Sequence, residues 1–155
     1  MPLEIERKFL VADDSWQSAS QDATDLRQGY LNLEQRCSIR VRTDGRRGWL
    51  NIKGATIGAE RPEYEYEIPL ADAEQLLQRF AVGPLVEKTR HLVPFGGHLW
   101  EVDVFRGENR GLVVAEIELD DPRQEFEKPP WLGPEVTDDV RYYNTSLCRR
   151  PFLTW

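Results

Sequence analysis

Charged residues recur at every second position in short runs bounded by turn residues, and the charges fall in blocks that differ from run to run. Period-two alternation is the spacing of a β-strand, whose side chains point to opposite faces in turn. In the first run Glu4, Glu6 and Lys8 share one face, with Ile5, Arg7 and Phe9 on the other. Later runs repeat the pattern. Ser38, Arg40 and Arg42 oppose Ile39 and Val41, and Asn51 and Lys53 oppose Leu50 and Ile52. Glu63, Glu65 and Glu67 oppose Tyr64, Tyr66 and Ile68. Lys88 and Arg90 lie on one face of their run, Glu101 and Asp103 oppose Trp100, Val102 and Val104, and Glu116 and Glu118 oppose Ala115, Ile117 and Leu119.

An antiparallel sheet with one wet face gives such alternation. Two features favour a closed sheet instead. The charged faces carry little of the Thr, Ser and Gln that solvated faces also hold, and the chain has few helices to cover the apolar side of eight strands. The fold expected is therefore mainly β (α+β), a closed eight-stranded antiparallel tunnel with charges inward and short helices outside. The 155 residues suit one domain spanning 1–155.

The strands expected run from Glu4 to Val11, Arg27 to Glu34, Cys37 to Arg42, Trp49 to Lys53, Glu63 to Ile68, Val86 to Val93, His98 to Phe105 and Leu112 to Leu119. Asp44-Gly45 is a hairpin signal. Asp13 to Asp25 is helix-compatible, and Ala73, Leu76, Leu77 and Phe80 predict a helix over Ala71 to Ala81, stopped at Gly83-Pro84. Asp121-Pro122 with Gln124 forms a helix-start pattern, and Thr137 to Arg150 reads as helical.

A lumen so built receives Lys8, Arg40, Arg42, Lys53, Lys88 and Arg90 together with Glu4, Glu6, Glu63, Glu65, Glu67, Glu101, Asp103, Glu116 and Glu118. Isolated buried charges are prohibitive, so the lumen must be wet, cross-paired and suited to a highly charged ligand. The cations match phosphate oxygens. Surplus carboxylates beside them make sense if hard divalent ions bridge carboxylate and phosphate.

The net charge of −7 argues against a duplex nucleic-acid binder, and no apolar run approaches the length of a membrane span. The acidic start, Glu4-Ile5-Glu6, lacks a secretory signal pattern, so a cytoplasmic location is expected. Cys37 and Cys148 are expected as reduced thiols, and His91 and His98 flank a turn without metal-ligand spacing. Outward apolar residues such as Val102, Val104, Ile117 and Leu119 exceed what short helices cover, which predicts a homodimer.

Glu4-Ile5-Glu6-Arg7-Lys8 resembles the Glu-x-Glu-x-Lys signature of the CYTH, or triphosphate tunnel metalloenzyme, superfamily. Gln28-Gly29-Tyr30-Leu31, Ile39-Arg40-Val41-Arg42, Ile52-Lys53, Glu63-Tyr64-Glu65-Tyr66-Glu67, Glu87-Lys88-Thr89-Arg90, Glu101-Val102-Asp103 and Ala115-Glu116-Ile117-Glu118 continue the resemblance in order. Gly133-Pro134-Glu135-Val136-Thr137 and Tyr143-Asn144 look like short bacterial members.

The resemblance implies an enzyme, a metal-dependent phosphohydrolase that uses Mg²⁺ or Mn²⁺ and cleaves tripolyphosphate to pyrophosphate and phosphate. By position, Lys8, Arg40, Arg42, Lys53, Lys88 and Arg90 would bind the substrate. Glu4, Glu6, Asp103, Glu116 and Glu118 would hold metal, with Glu4, Glu6 and Glu118 around the attacking water. Tyr30 would sit near Lys8 and orient the attacking group. Alternatives are a class IV adenylate cyclase, a thiamine or nucleoside triphosphatase, and a non-catalytic polyphosphate-binding module. Ser38 stands where thiamine triphosphatases place a Trp, and no base pocket is identifiable unless Ala55 to Glu60 or Gly107 to Gly111 folds over to build one.

Overall fold

The computed structural model describes residues 3–34, 36–55 and 59–155. Its strands are β1 (Leu3–Val11), β2 (Asp22–Tyr30), β3 (Cys37–Thr43), β4 (Gly48–Gly54), β5 (Glu60–Ile68), β6 (Val86–Phe95), β7 (His98–Arg106), β8 (Val113–Glu118) and β9 (Leu132–Glu135). The helices are α1 (Leu70–Phe80) and the short α2 (Asn144–Leu147), with a few 3₁₀ turns.

All pairings are antiparallel, in the order β5-β4-β3-β2-β6-β7-β8-β1-β9. A further pairing of β1 with β5, Glu4 opposite Arg61, closes β1 to β8 into a ring. One edge of β1 follows β8 from Glu6 to Leu10, while the other meets β5 at its start and β9 at its end. The eight-stranded tunnel expected from the alternation is present.

Local chemistry sets the hairpins. Gly96 and Gly97 both take positive φ, +60° and +78°, between paired Phe95 and His98, as a two-residue turn with matched twist requires. At Asp44-Gly45 the Asp44 carboxylate accepts from the N–H groups of Arg46 and Arg47, and Gly45 sits at φ +87°.

Three boundaries differ from expectation. β2 begins at Asp22 and ends at Tyr30, and only Ser15–Ala19 of the preceding stretch coils, as a 3₁₀ turn. The ladder explains the early start, since Asp22 to Leu26 pair with the far end of β6, and pairing overrides propensity. Asn32 explains the early end: it donates to the Cys37 carbonyl and accepts from Ile39 N–H, turning the chain. Asp121-Pro122 starts a turn, not a helix. The Gln124 side chain accepts from Asp120 N–H at 2.8 Å, and Phe126 packs edge-on against Phe9 and Trp100. The tail is broken at Tyr143, whose extended backbone separates the Val140–Tyr142 turn from α2.

The outer faces of β1, β6, β7 and β8 are not bare. Trp16, Phe126 and Trp131 lie on Phe9, Val93, Trp100, Val102 and Ile117. Val102, Ile117 and Leu119 are buried within the chain, so the apolar surplus behind the expected homodimer does not exist there. A strap of irregular chain covers what helices were expected to leave open. α1 packs Ala73 and Leu77 on Val41. The outer face of β5 stays uncovered, with Tyr64 41% and Tyr66 56% exposed beside Leu3.

Inside, the tunnel changes character along its length. Leu10, Tyr30, Val86, Phe105 and Val114 share the lumenal parity of Lys8, Gln28, Lys88, Asp103 and Glu116. They form an apolar floor with Leu147, Cys148 and Phe152 of the tail. Among the described residues, no helix is long and apolar enough to cross a membrane.

Candidate functional site

Above that floor the lumen holds a cavity of about 260 Å³. Its walls include Glu4, Glu6 and Lys8 of β1, Tyr30 of β2, Arg40 and Arg42 of β3, and Lys53 of β4. Lys88 and Arg90 of β6 and Glu116 and Glu118 of β8 complete the expected set, joined by Glu63, Glu65 and Glu101. Strand parity thus brings together residues spread over more than a hundred positions.

Two expected members fall elsewhere. Glu67 sits at the end of β5, solvent-exposed, with Arg47 at 3.6 Å. Asp103, expected as a metal ligand, lies fully buried beneath the cations. Its Oδ1 accepts from Arg90 Nε at 2.8 Å, and its Oδ2 from Arg90 Nη2 at 2.9 Å and Lys88 Nζ at 2.7 Å. Both oxygens are committed to cations. Tyr30 lines the cavity, but β2 stands four strands from β1 in the ring, so it faces Lys8 across the lumen and is not its neighbour. The ring beside Lys8 is Tyr143, 5.8 Å from Nζ.

Arg61, Thr137, Tyr143, Asn144 and Thr145 also line the cavity; none was expected there, although Thr137, Tyr143 and Asn144 stand in motifs that carry the resemblance. Arg61 carried a signal, since it lies two residues before Glu63 on the same parity. Pro62 disguised the strand, but that residue pairs with Leu3 near its start. The tail residues carry no periodic signal.

The pairing is uneven. Lys53 Nζ reaches both Glu4 oxygens at 3.0 and 2.9 Å, and Arg61 Nε reaches Glu4 Oε2 at 3.0 Å. Lys8 Nζ lies 3.5 Å from Glu116, and Arg90 Nη1 lies 2.9 Å from Glu101. Among the described residues, Arg40 and Arg42 have no ion pair. The Nε of Arg40 is buried without a hydrogen-bond partner, and Arg42 Nε donates only to Gln28 Oε1 at 2.9 Å. Burial, then Arg40 and Arg90, push the Arg42 guanidinium down to about 9.

Across the ring, four strands away, β8 carries Glu116 and Glu118 beside Glu4 and Glu6 of β1. Glu6 has neither a hydrogen bond nor an ion pair through its side chain among the described residues. Burial, then the charges of Glu116 and Glu4, push its carboxyl up to about 8. Burial opposes ionisation of Glu4 too, but Lys53 and Arg61 outweigh it and hold that carboxyl well below the usual range. Glu116, also opposed by burial, is drawn down to about 2, chiefly by Lys8. Burial lowers the Lys88 ammonium to about 7 despite Asp103. One wall of the cavity therefore has guanidinium groups without anions, and the other a carboxylate without a cation.

Among the described residues, no group of three or more Asp, Glu, His or Cys side chains is arranged to hold a metal ion. The pairing supplies the reason, since Glu4 and Glu116 are drawn onto Lys53, Arg61 and Lys8. The donor set still fits a hard divalent cation, which takes carboxylate oxygens, and Glu6 lacks the cation its surroundings call for.

A second cavity of about 260 Å³ adjoins the first at Arg42, Glu65 and Arg90, and is otherwise lined by Thr24, Leu26, Asp44, Trp49, Asn51 and Leu92. Of the two loops considered as base-pocket builders, the first includes residues 56–58, which lie outside the described residues. In the second, Gly107–Asn109 packs on the tail, Asn109 Oδ1 accepting from Phe152 N–H at 2.8 Å.

The CYTH domain model matches residues 2–151. The chain is 45% identical over 152 residues to an inorganic triphosphatase of Acetivibrio thermocellus, covering 98% of this chain and 97% of that protein. It is 40% identical over 148 residues to an inorganic triphosphatase of Nitrosomonas europaea, covering 93% and 95%. The crystal structure of the inorganic triphosphatase NE1496 superposes with a TM-score of 0.69 at 37% identity, covering 94% of this chain and 97% of that one.

Proposed function

The chain belongs to the CYTH domain family, and on that premise we propose that it is an inorganic triphosphatase that cleaves tripolyphosphate to pyrophosphate and phosphate. The observation that carries this reading to the site is the unpaired couple Arg40 and Arg42, facing carboxylates across a small closed lumen. Two guanidiniums without anions, Arg40 buried and Arg42 half-buried, are costly unless a polyanion completes them.

Arg40 and Arg42 bind phosphate oxygens first, because they give up no existing partner. Lys8, Lys53, Lys88 and Arg90 supply the remaining positive charge, with Arg61 as a further cation. As phosphate oxygens draw Lys53, Arg61 and Lys8 toward the substrate, Glu4 and Glu116 are freed of them. Glu4, Glu6, Glu116 and Glu118 then form the carboxylate set that would hold the metal. We leave Asp103 out of that set, as the anchor that aims Lys88 and Arg90. Mg²⁺ or Mn²⁺, when bound, neutralises phosphate charge and makes an attacking water more acidic. Glu4, Glu6 and Glu118 hold that water in line with the terminal phosphorus, and the cations stabilise charge on the departing pyrophosphate. Tyr30 closes the lumen beneath the substrate.

The whole of residues 1–155 acts as one unit in this reading, because the ring needs its first and last strands. A homodimer has its remaining basis in the uncovered outer face of β5, at Tyr64 and Tyr66.

Phosphate release from tripolyphosphate, ATP and thiamine triphosphate, with Mg²⁺ or Mn²⁺ and again with EDTA, tests the proposal. Release from tripolyphosphate that EDTA abolishes is the expected result. A second reading, an organic triphosphate as substrate, is favoured by the cavity at Trp49, which offers an indole ring with Leu26 and Leu92 and is continuous with the cations. Preference for ATP or thiamine triphosphate would establish it, and cyclic AMP among the products would establish a cyclase.

A further inference from the structure

The tail does more than close one end of the tunnel. Three of its consecutive residues reach the lumenal cations. The Tyr142 carbonyl accepts from Lys8 Nζ at 3.0 Å, the Tyr143 ring lies beside the same ammonium, and Asn144 meets Lys88 and Gln28. Asn144 stands out because its side-chain oxygen accepts twice, from Gln28 Nε2 at 3.1 Å and from Lys88 Nζ at 3.3 Å.

The orientation of both amides is forced. A guanidinium only donates, so Gln28, fully buried, must turn Oε1 to Arg42 and Nε2 to Asn144. An ammonium also only donates, so Asn144 must turn Oδ1 to Lys88. The result is one path, Arg42–Gln28–Asn144–Lys88–Asp103–Arg90, joining β3, β2, the tail, β6 and β7. Without Asn144 the path breaks in the middle. Arg42 would then keep a partner that is itself unanchored, and Lys88 would lose the neutral acceptor that balances the pull of Asp103.

We propose that Asn144 is a positioning residue for the triphosphate site, its side-chain oxygen fixing Lys88 directly and Arg42 through Gln28. This rests on the reading of the lumen as a triphosphate site. The path holds three of the phosphate-binding cations, Arg42, Lys88 and Arg90, and the tail ties them together at one atom. A side chain that orients binding groups moves affinity more than turnover.

The test is a double-mutant cycle between Asn144→Ala and Gln28→Met. It is read as KM and kcat for tripolyphosphate, and independently as Kd for tripolyphosphate by titration calorimetry in EDTA. Each single variant should raise KM and Kd by about tenfold, the scale of one lost hydrogen bond to a charged group, with kcat changed less than about threefold. The double variant should be no worse than either single one, because both break the same path. Arg141→Ala, which disturbs the tail on its exposed side, should leave KM unchanged. Additive losses of about a hundredfold in the double variant, or an unchanged KM in Asn144→Ala, overturn the proposal. If Asn144→Ala does not fold, Asn144→Ser takes its place, and failure of both to fold makes the residue purely structural and also overturns it. Wild-type protein that binds tripolyphosphate but releases no phosphate sinks the triphosphatase reading alone. Wild type that does not bind sinks both.

Discussion

Replacing Glu6 by Gln should strengthen the metal-free protein at alkaline pH while destroying its activity. The carboxyl has no partner through its side chain among the described residues, and burial with Glu116 and Glu4 raises it from 4.5 to about 8. A carboxyl raised on folding holds its proton more tightly in the folded state. Stability is therefore full below pH 4.5 and is lost as pH rises toward 8. The gap of 3.5 between 8 and 4.5 sets a ceiling of about 5 kcal/mol at 1.36 kcal/mol per pH unit. Glu116 and Glu4 titrate with Glu6, so about 2 kcal/mol is the working expectation. In a chain of this size that is about 4–8 °C in Tm.

Scanning calorimetry in EDTA should thus find wild type and Glu6→Gln melting together at pH 5, with the variant ahead by that margin at pH 8. Added Mg²⁺ or Mn²⁺ should raise the Tm of wild type at pH 8 and leave the variant nearly unmoved. Parallel Tm curves across pH 5–8 would falsify the claim that Glu6 is an uncompensated buried acid.

Arg40→Leu removes a guanidinium whose Nε lacks a partner, so Tm without substrate should rise by about 2–4 °C, for about 1 kcal/mol recovered, while kcat/KM falls at least a hundredfold; a lower Tm means Arg40 has a structural partner. Glu118→Gln should cut kcat at least a hundredfold with the circular dichroism spectrum unchanged, and near-wild-type turnover with Mg²⁺ would misplace the metal site. Tripolyphosphate should exceed ATP in kcat/KM by about tenfold if the ester costs about 1.4 kcal/mol in the transition state; equal values under matched Mg²⁺ would give the Trp49 cavity a role in binding. Asp103→Asn should weaken tripolyphosphate binding in EDTA as well as with metal, whereas a pure metal ligand would affect only the latter.

Parity such as that of Glu4, Glu6 and Lys8 against Ile5 and Phe9 assigned the faces of each strand, because covalent geometry fixes them. The scarcity of helices and of Thr, Ser and Gln on the charged faces then pointed to a closed sheet with those charges in its lumen. Position around the ring was not readable. That Tyr30 faces Lys8 across the lumen follows from strand order, which alternation does not encode. Asp103 was legible as inward but not as buried under Lys88 and Arg90, since depth depends on what the neighbouring strands bring to the same level. The strap from Asp120 to Trp131 escaped because irregular chain has no period, and its omission produced the false surplus of outer apolar surface. Tyr143 and Asn144 were read as part of one helix from Thr137 to Arg150. The break at Tyr143 comes from contacts made inside the tunnel, so no local propensity announces it.

The strand that bears Glu4, Glu6 and Lys8 precedes the other strands of the ring in the chain, yet its main partner, β8, begins at Val113 and its edge is finished only by β9. Until β8 is made, the stretch of β1 from Glu6 to Leu10 lacks that partner and carries alternating charges, a composition that resists pairing with the wrong strand. Loop closure over such a separation makes ring formation late and slow. Half-made chains therefore cannot carry an open, partly active lumen, because the carboxylates of β1 meet Glu116 and Glu118 only when the last strands arrive. Function in this architecture is switched on by completing the circle, and proteolytic loss of a few residues at the start of β1 would reopen it.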